Sequence, residues 1–182
     1  MKTKKRIIEI LVPILVATGV FVFIYLPVKF FTLLGINDLY QVLSFAPRKV
    51  FVFVGIMNVL VFVPVFVLGF IKLTRKGAIG QAKKLKTTSV YKYVRNPMYA
   101  GVSFTIMGTG LILGSTGILA AGLLWLLWCF VFCLQEEKQL LEKFGEEYIQ
   151  YRKTTPMFIP RFDYLLASLF NIPMPKKDKS WK

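Results

Sequence analysis

The chain has 182 residues, 55% of them hydrophobic, and a mean hydropathy of +0.59. That is too apolar for an ordinary soluble domain, while the length suits one compact unit over residues 1–182. The net charge is +15, but the charges crowd into a few segments between long uncharged runs. This pattern excludes a nucleic-acid binder and points to an all-α, multi-pass integral membrane protein.

The first apolar run, residues 7–30, holds only Glu9 and Lys29, both near its ends. A crossing needs roughly 20 apolar residues, so this run predicts a span. It is too long for a cleaved signal peptide, and no small-x-small cleavage site follows it. Residues 50–71 carry no charge and predict a second span, so 1–72 holds the first two. Pro13 and Pro64 predict kinks whose freed carbonyls neighbouring helices satisfy. Residues 99–113 and 118–134 are also uncharged and flank Gly114-Ser115-Thr116-Gly117. Each is short for a span, but the uncharged junction makes 99–135 long enough for two spans joined by a tight turn. One helix over that whole length would far exceed a bilayer's thickness. The expectation is four spans, the last two a helical hairpin. After it, Leu140, Leu141, Phe144 and Tyr148 at helical spacing predict one amphipathic helix over 136–152. A basic tail occupies 162–182.

Charge sets the orientation. Lys2, Lys4, Lys5 and Arg6 open the chain, and the loop after the second span carries Lys72, Arg75, Lys76, Lys83, Lys84, Lys86, Lys92 and Arg95. Only Arg48 and Lys49 fall in the first loop. Cytoplasmic loops carry the Lys/Arg excess, so both termini and the 72–98 loop are expected in the cytoplasm. The same excess attracts anionic membrane lipids. The compact length and lack of an organelle signal favour a prokaryotic plasma membrane.

With no histidine, a Ser-His-Asp triad and a His-ligated metal site are excluded, and no metal is expected. Cys129 and Cys133 lie i, i+4 on a span with no further soft ligand, and read as small packing residues. Gly108-Thr109-Gly110 reads as close helix packing. Polar chemistry gathers at one membrane face, where the hairpin brings Arg95–Tyr99 beside Glu136 and Glu137. At the end of an apolar helix that acidic pair meets a negative dipole, unfavourable by roughly 0.3–1 kcal/mol unless a cation answers it.

The stretches 85–101 (LKTTSVYKYVRNPMYAG), 136–152 (EEKQLLEKFGEEYIQYR) and 155–161 (TPMFIPR), around a short apolar hairpin, resemble the isoprenylcysteine carboxyl methyltransferase family and the related phospholipid methyltransferases. The resemblance covers about 85–161, and with the preceding loop makes 73–161 a methyltransferase-like core. It implies an integral membrane enzyme that moves a methyl group from S-adenosylmethionine to a lipophilic acceptor. Carried over by position, the cofactor contacts are Lys84, Leu85 and Lys86, then Tyr91, Asn96, Pro97, Met98 and Tyr99, with Glu136 from the other end of the hairpin. Gly108 and Gly110 are secondary candidates. Arg95 and Glu137 are the candidates for the reacting end. A carboxylate suits the cofactor's ammonium group and tyrosine faces suit adenine or sulfonium.

Two departures stand out. The family's R-H-P histidine is Asn96, which donates and accepts but takes no proton. Where the prenylcysteine enzymes place an arginine before the acidic pair, this chain has Phe132 and Cys133, so Arg95 would face any carboxylate acceptor alone. Two other readings remain open: a nicotinamide-dependent membrane reductase, which shares an R-x-P-N-Y-x-G turn, and a non-catalytic membrane protein of the same fold. The oligomeric state is not encoded in any motif.

Overall fold

The computed structural model describes residues 21–76, 85 and 87–161, and every regular element among them is helical. In chain order these are α1 (Leu26–Leu33), entered through a π-helical turn at Phe21–Tyr25, α2 (Leu39–Val42), α3 (Arg48–Lys76), α4 (Pro97–Leu113), α5 (Thr116–Phe144) and α6 (Glu146–Thr154). A 3-10 turn, Ser89–Lys92, precedes α4. Most of the first expected span, residues 1–20, lies outside the described residues, as does the basic tail from 162 on.

Among the described residues two helices are long and apolar enough to cross a membrane, Arg48–Ile71 within α3 and Thr116–Phe144, with shorter apolar helices at Val22–Leu33 and Pro97–Leu113. In the most apolar 18 residues of each long helix only 22% and 28% are buried. A soluble protein's core helix would hide most of that surface; here Phe53, Leu60, Leu113 and Leu127 face outward. The apolar exterior is what a bilayer would cover.

Helices meeting in lipid gain little from hydrophobic exclusion, so they pack through small residues that let backbones approach. α3 and α4 meet in that way. A Cβ on Gly55 would lie 2.7 Å from the Gly108 carbonyl oxygen, and one on Gly101 would lie 2.7 Å from the Phe66 backbone. α4 and α5 meet at Gly110, where a Cβ would come within 2.6 Å of the Leu119 backbone nitrogen. Phe62 of α3 stacks on Phe104 of α4 with ring centroids 4.4 Å apart. Pro64 sits inside α3 without ending the helix.

The hairpin turn is two residues long. Gly114 takes the left-handed conformation (φ +67°), open to glycine at no steric cost. Ser115 then caps α5 by accepting the Ile118 N–H. The preceding loop is fastened to this turn. The Asn37 side-chain oxygen accepts from the Ser115 hydroxyl (3.1 Å) and the Gly117 N–H (3.2 Å). The Tyr40 hydroxyl is shared between the Leu111 and Ile112 carbonyls at 2.9 and 2.8 Å, satisfying the open end of α4.

At its other end α5 departs from expectation. It runs unbroken to Phe144, and the single amphipathic helix expected over 136–152 is divided at Gly145 (φ +51°) into the end of α5 and a separate α6. The acidic pair therefore lies within α5, two turns before its end, and the helix-terminal dipole penalty does not fall on it. At about 1.5 Å per residue the 29-residue α5 is roughly 43 Å long, against roughly 30 Å of hydrocarbon. The helix is long enough to carry Glu136 and Glu137 out of the apolar layer.

Candidate functional site

The start of α4 and the far half of α5 converge because the two helices are antiparallel arms of one hairpin. Asn96 occupies the N-cap of α4 and Pro97 its first helical position, where a missing N–H is no loss and the ring presets φ. Pro97 and Met98 pack toward Gly69 of α3, each within 3.2 Å of where that glycine's Cβ would stand. One turn into α4, the Tyr99 hydroxyl donates to Glu136 Oε1 at 3.0 Å. Beside it Arg95 Nη2 stands 3.0 Å from Glu137 Oε1, with both side chains nearly buried, 10% and 6% exposed. No donor is aligned with that oxygen, so the contact is ionic rather than a well-directed hydrogen bond.

Residues outside the expected contact set hold this cluster together. Arg152 of α6 reaches Glu137 Oε2 with its Nε at 3.6 Å from a position 58% exposed. Tyr148, 1% exposed, is buried beside Glu137, whose charge adds to the upward push on its phenol. The Tyr151 hydroxyl donates to the Tyr91 carbonyl at 2.7 Å. The segment after α6 then runs alongside the turn. The Arg95 and Asn96 N–H groups donate to the Pro156 and Met157 carbonyls at 2.9 and 3.1 Å, and the Arg161 N–H donates to the Tyr93 carbonyl at 3.1 Å. Burial raises the pKa of Tyr91, Tyr148 and Tyr151, with a smaller push from Glu136 on the first and from Glu137 on Tyr148. All three phenols are neutral at physiological pH.

Three nitrogens stand out. Arg95 Nε and Nη1 and the Asn96 side-chain nitrogen are buried without a hydrogen-bond partner. A buried donor left unpaired costs about 1–3 kcal/mol, more when charged, so these three are available to acceptor atoms from water or a ligand.

The structure brings Arg95, Asn96, Tyr99, Glu136 and Glu137 into one cluster. Tyr91 is buried behind it in the apolar core with Val94 and Ala100. Leu85 is half-buried, and Lys84 and Lys86 lie outside the described residues. Gly108 and Gly110 are not brought to the cluster. They lie nine and eleven residues along α4 from Tyr99, roughly 14 and 16 Å away, against α3 and α5 respectively. Cys129 and Cys133 are buried on the inner face of α5. Arg152, Tyr148 and Tyr151 lie inside the 136–152 motif but were not among the expected site residues, although their i, i+3, i+4 spacing places them on one helix face.

The phospholipid methyltransferase family profile matches residues 48–147. The chain is 39% identical over 80 residues to the protein-S-isoprenylcysteine O-methyltransferase of Schizosaccharomyces pombe, covering 42% of this chain and 33% of that protein. It is 32% identical over 77 residues to methanethiol S-methyltransferase 1 of Bradyrhizobium diazoefficiens, covering 42% and 26%. With the methanethiol S-methyltransferase of Crocosphaera subtropica it shares 34% identity over 77 residues, covering 42% and 29%. The matched stretch is thus a third or less of each relative's length. No solved structure matches the chain.

Proposed function

The chain belongs to the phospholipid methyltransferase family, and from that premise we propose that it transfers a methyl group from S-adenosylmethionine to a lipophilic acceptor at the cytoplasmic face of a membrane. The observation that carries the reading is the meeting of a buried arginine turn, rich in unpartnered donors, with a tandem acidic pair at the open end of a hairpin. Those groups fit the cofactor's amino-acid head. Its carboxylate would be held by Arg95 Nε and Nη1 and the Asn96 amide, and its ammonium group by Glu136, which Tyr99 orients through its hydroxyl. S-adenosylmethionine supplies a methyl group on a sulfonium sulfur, ready for in-line displacement.

The chain's own part is then placement and dryness rather than proton transfer. Glu137 fixes the Arg95 guanidinium, α6 covers Glu137 with Tyr148 and Arg152, and the 155–161 segment closes the turn through its backbone. Attack on a methyl sulfonium depends chiefly on alignment and exclusion of water, so asparagine in place of a basic histidine is compatible with turnover. We propose that residues 1–182 form one membrane domain with four spans, both termini cytoplasmic, in a prokaryotic plasma membrane. The acceptor we favour is neutral or amine-bearing. Arg95 is already paired with Glu137, and Cys133, fully buried, stands where a carboxylate-binding arginine would be needed.

Calorimetry on the purified chain tests the cofactor. Glu136→Ala removes a charge-assisted contact of about 1.5–3 kcal/mol and is expected to weaken S-adenosylmethionine at least about tenfold. Unchanged affinity in that variant, or tight binding of NADPH in place of S-adenosylmethionine, overturns the reading.

A further inference from the structure

At the opposite end of the hairpin, roughly 25 Å along the 17-residue α4, the structure has a wide-open surface cavity of about 330 Å³ lined by Asn37, Asp38, Tyr40, Arg48, Leu113, Gly114 and Ser115. Its floor is rigid. The Asp38–Ser115 bridge, made by the Leu39 N–H to Gly114 carbonyl bond (2.8 Å) and the Thr116 N–H to Asn37 carbonyl bond (3.0 Å), fastens the 37–40 segment to the turn. The Tyr40 ring lies so close over Gly114 that any Cβ there would overlap it. Arg48 rests over that ring, its guanidinium carbon 4.9 Å from the centroid. Asp38 caps α2 with one carboxylate oxygen, accepting the Tyr40 N–H at 3.0 Å.

Neither charge is answered by the other: among the described residues the ion pairs join Glu137 to arginines, and none includes Asp38 or Arg48. A cation resting on the Tyr40 ring and an anion capping α2 therefore line one cavity without an ion pair between them. Leu113, which lines the cavity, is well exposed, and so are Leu33, Leu34 and Phe45, each within a few residues of the lining in sequence, so apolar surface adjoins the rim. Such a rim suits acyl chains, and the two charges suit a headgroup bearing both signs. We propose that this cavity binds the headgroup of a zwitterionic aminophospholipid, its phosphate on Arg48 and its ammonium group on Asp38. With α3 and α5 crossing the bilayer, the site faces the leaflet opposite the Arg95–Glu137 cluster. It is independent of methyl transfer.

The test uses the full chain in detergent, titrated with dioctanoyl phosphatidylethanolamine, dioctanoyl phosphatidylglycerol, O-phosphoethanolamine and inorganic phosphate, binding being read from the thermal unfolding midpoint. Arg48→Gln keeps the side chain's stem. Asp38→Asn keeps an oxygen able to cap α2, so both variants retain the fold. Each is expected to weaken phosphatidylethanolamine about fivefold, the scale of one exposed ion pair near 1 kcal/mol. S-adenosylmethionine affinity is expected to stay unchanged in both. Phosphatidylglycerol is expected to bind more weakly than phosphatidylethanolamine and to gain from Asp38→Asn. Equal binding of the two lipids by the wild-type chain, or inorganic phosphate matching the lipid, overturns the proposal. So does phosphatidylethanolamine binding that survives both variants and is lost in Tyr99→Phe, which assigns the lipid to the methyl-transfer site.

Discussion

Removing the Glu137 carboxylate separates a buried ion pair from a surface one within a single cluster. Glu137 touches two arginines, Arg95 at 3.0 Å with 10% of its side chain exposed and Arg152 at 3.6 Å with 58% exposed. Arg95 already leaves Nε and Nη1 without partners, so Glu137→Ala strands the whole guanidinium away from water. Breaking a buried pair in that way costs about 3–5 kcal/mol. Arg152→Ala removes a solvated contact of about 0.2–1 kcal/mol, because water and salt already screen it. At about 2–4 °C of midpoint per kcal/mol for a chain of this size, Glu137→Ala is expected to unfold roughly 6–20 °C below the wild type. Arg152→Ala is expected to lose no more than about 4 °C on the same scale. The assay is tryptophan fluorescence during heating in detergent, without ligand. The double variant Arg95→Met with Glu137→Leu, which removes both charges and keeps volume, is expected to be more stable than Glu137→Ala alone. If Glu137→Ala and Arg152→Ala fall within about 1 kcal/mol of each other, water reaches Arg95 when its partner leaves, and the dry-cluster argument fails.

Two further outcomes are expected. Single cysteines placed at Asn37 or Ser115 in a chain lacking Cys129 and Cys133 should react with an impermeant thiol reagent from outside intact cells, while one at Thr87 should not; outside labelling at Thr87 would reverse the orientation. In a radiolabelled methyl-transfer assay, a total lipid extract should be methylated in preference to a farnesylcysteine analogue; strong methylation of the farnesylcysteine carboxylate that disappears in Arg95→Ala would give Arg95 the missing arginine's task and refute the amine preference.

How legible each feature was in the sequence depends on what encodes it. The hairpin could be read because its signal is an absence: no charge from 99 to 134, with small and polar residues midway where a turn must fall. Antiparallel arms then place Arg95–Tyr99 opposite Glu136 and Glu137, and the Tyr99–Glu136 bond follows that logic. The division at Gly145 was hidden because the residues on both sides continue the helical pattern, and only a backbone at φ +51° interrupts it. The 155–161 segment holds the turn through main-chain bonds that any residue type could make, so its side chains announced no contact. Gly108 and Gly110 show a different ambiguity. Two residues apart on a helix they point some 200° from each other, so one admits α3 and the other α5. A G-x-G pair in a loop could cradle a ligand, whereas on this helix each glycine admits a neighbouring helix.

The same geometry ties the two ends of the hairpin together. Each residue of an α-helix turns about 100° and rises about 1.5 Å, so the direction in which Tyr99 points is set by how α4 is rotated where it leaves the turn. Gly114 and Ser115 fix the turn, Tyr40 and Asn37 hold it from outside, and the Gly110–Leu119 approach stops the arms from rotating. One residue more or less in α4 would swing Tyr99 by about 100°, away from Glu136 and toward lipid or α3. The polar cluster therefore depends on a tight turn roughly 25 Å away, and the close glycine contacts between the arms serve the proposed chemistry without touching it. They hold fixed the rotation on which Tyr99, Glu136, Arg95 and Glu137 all rely.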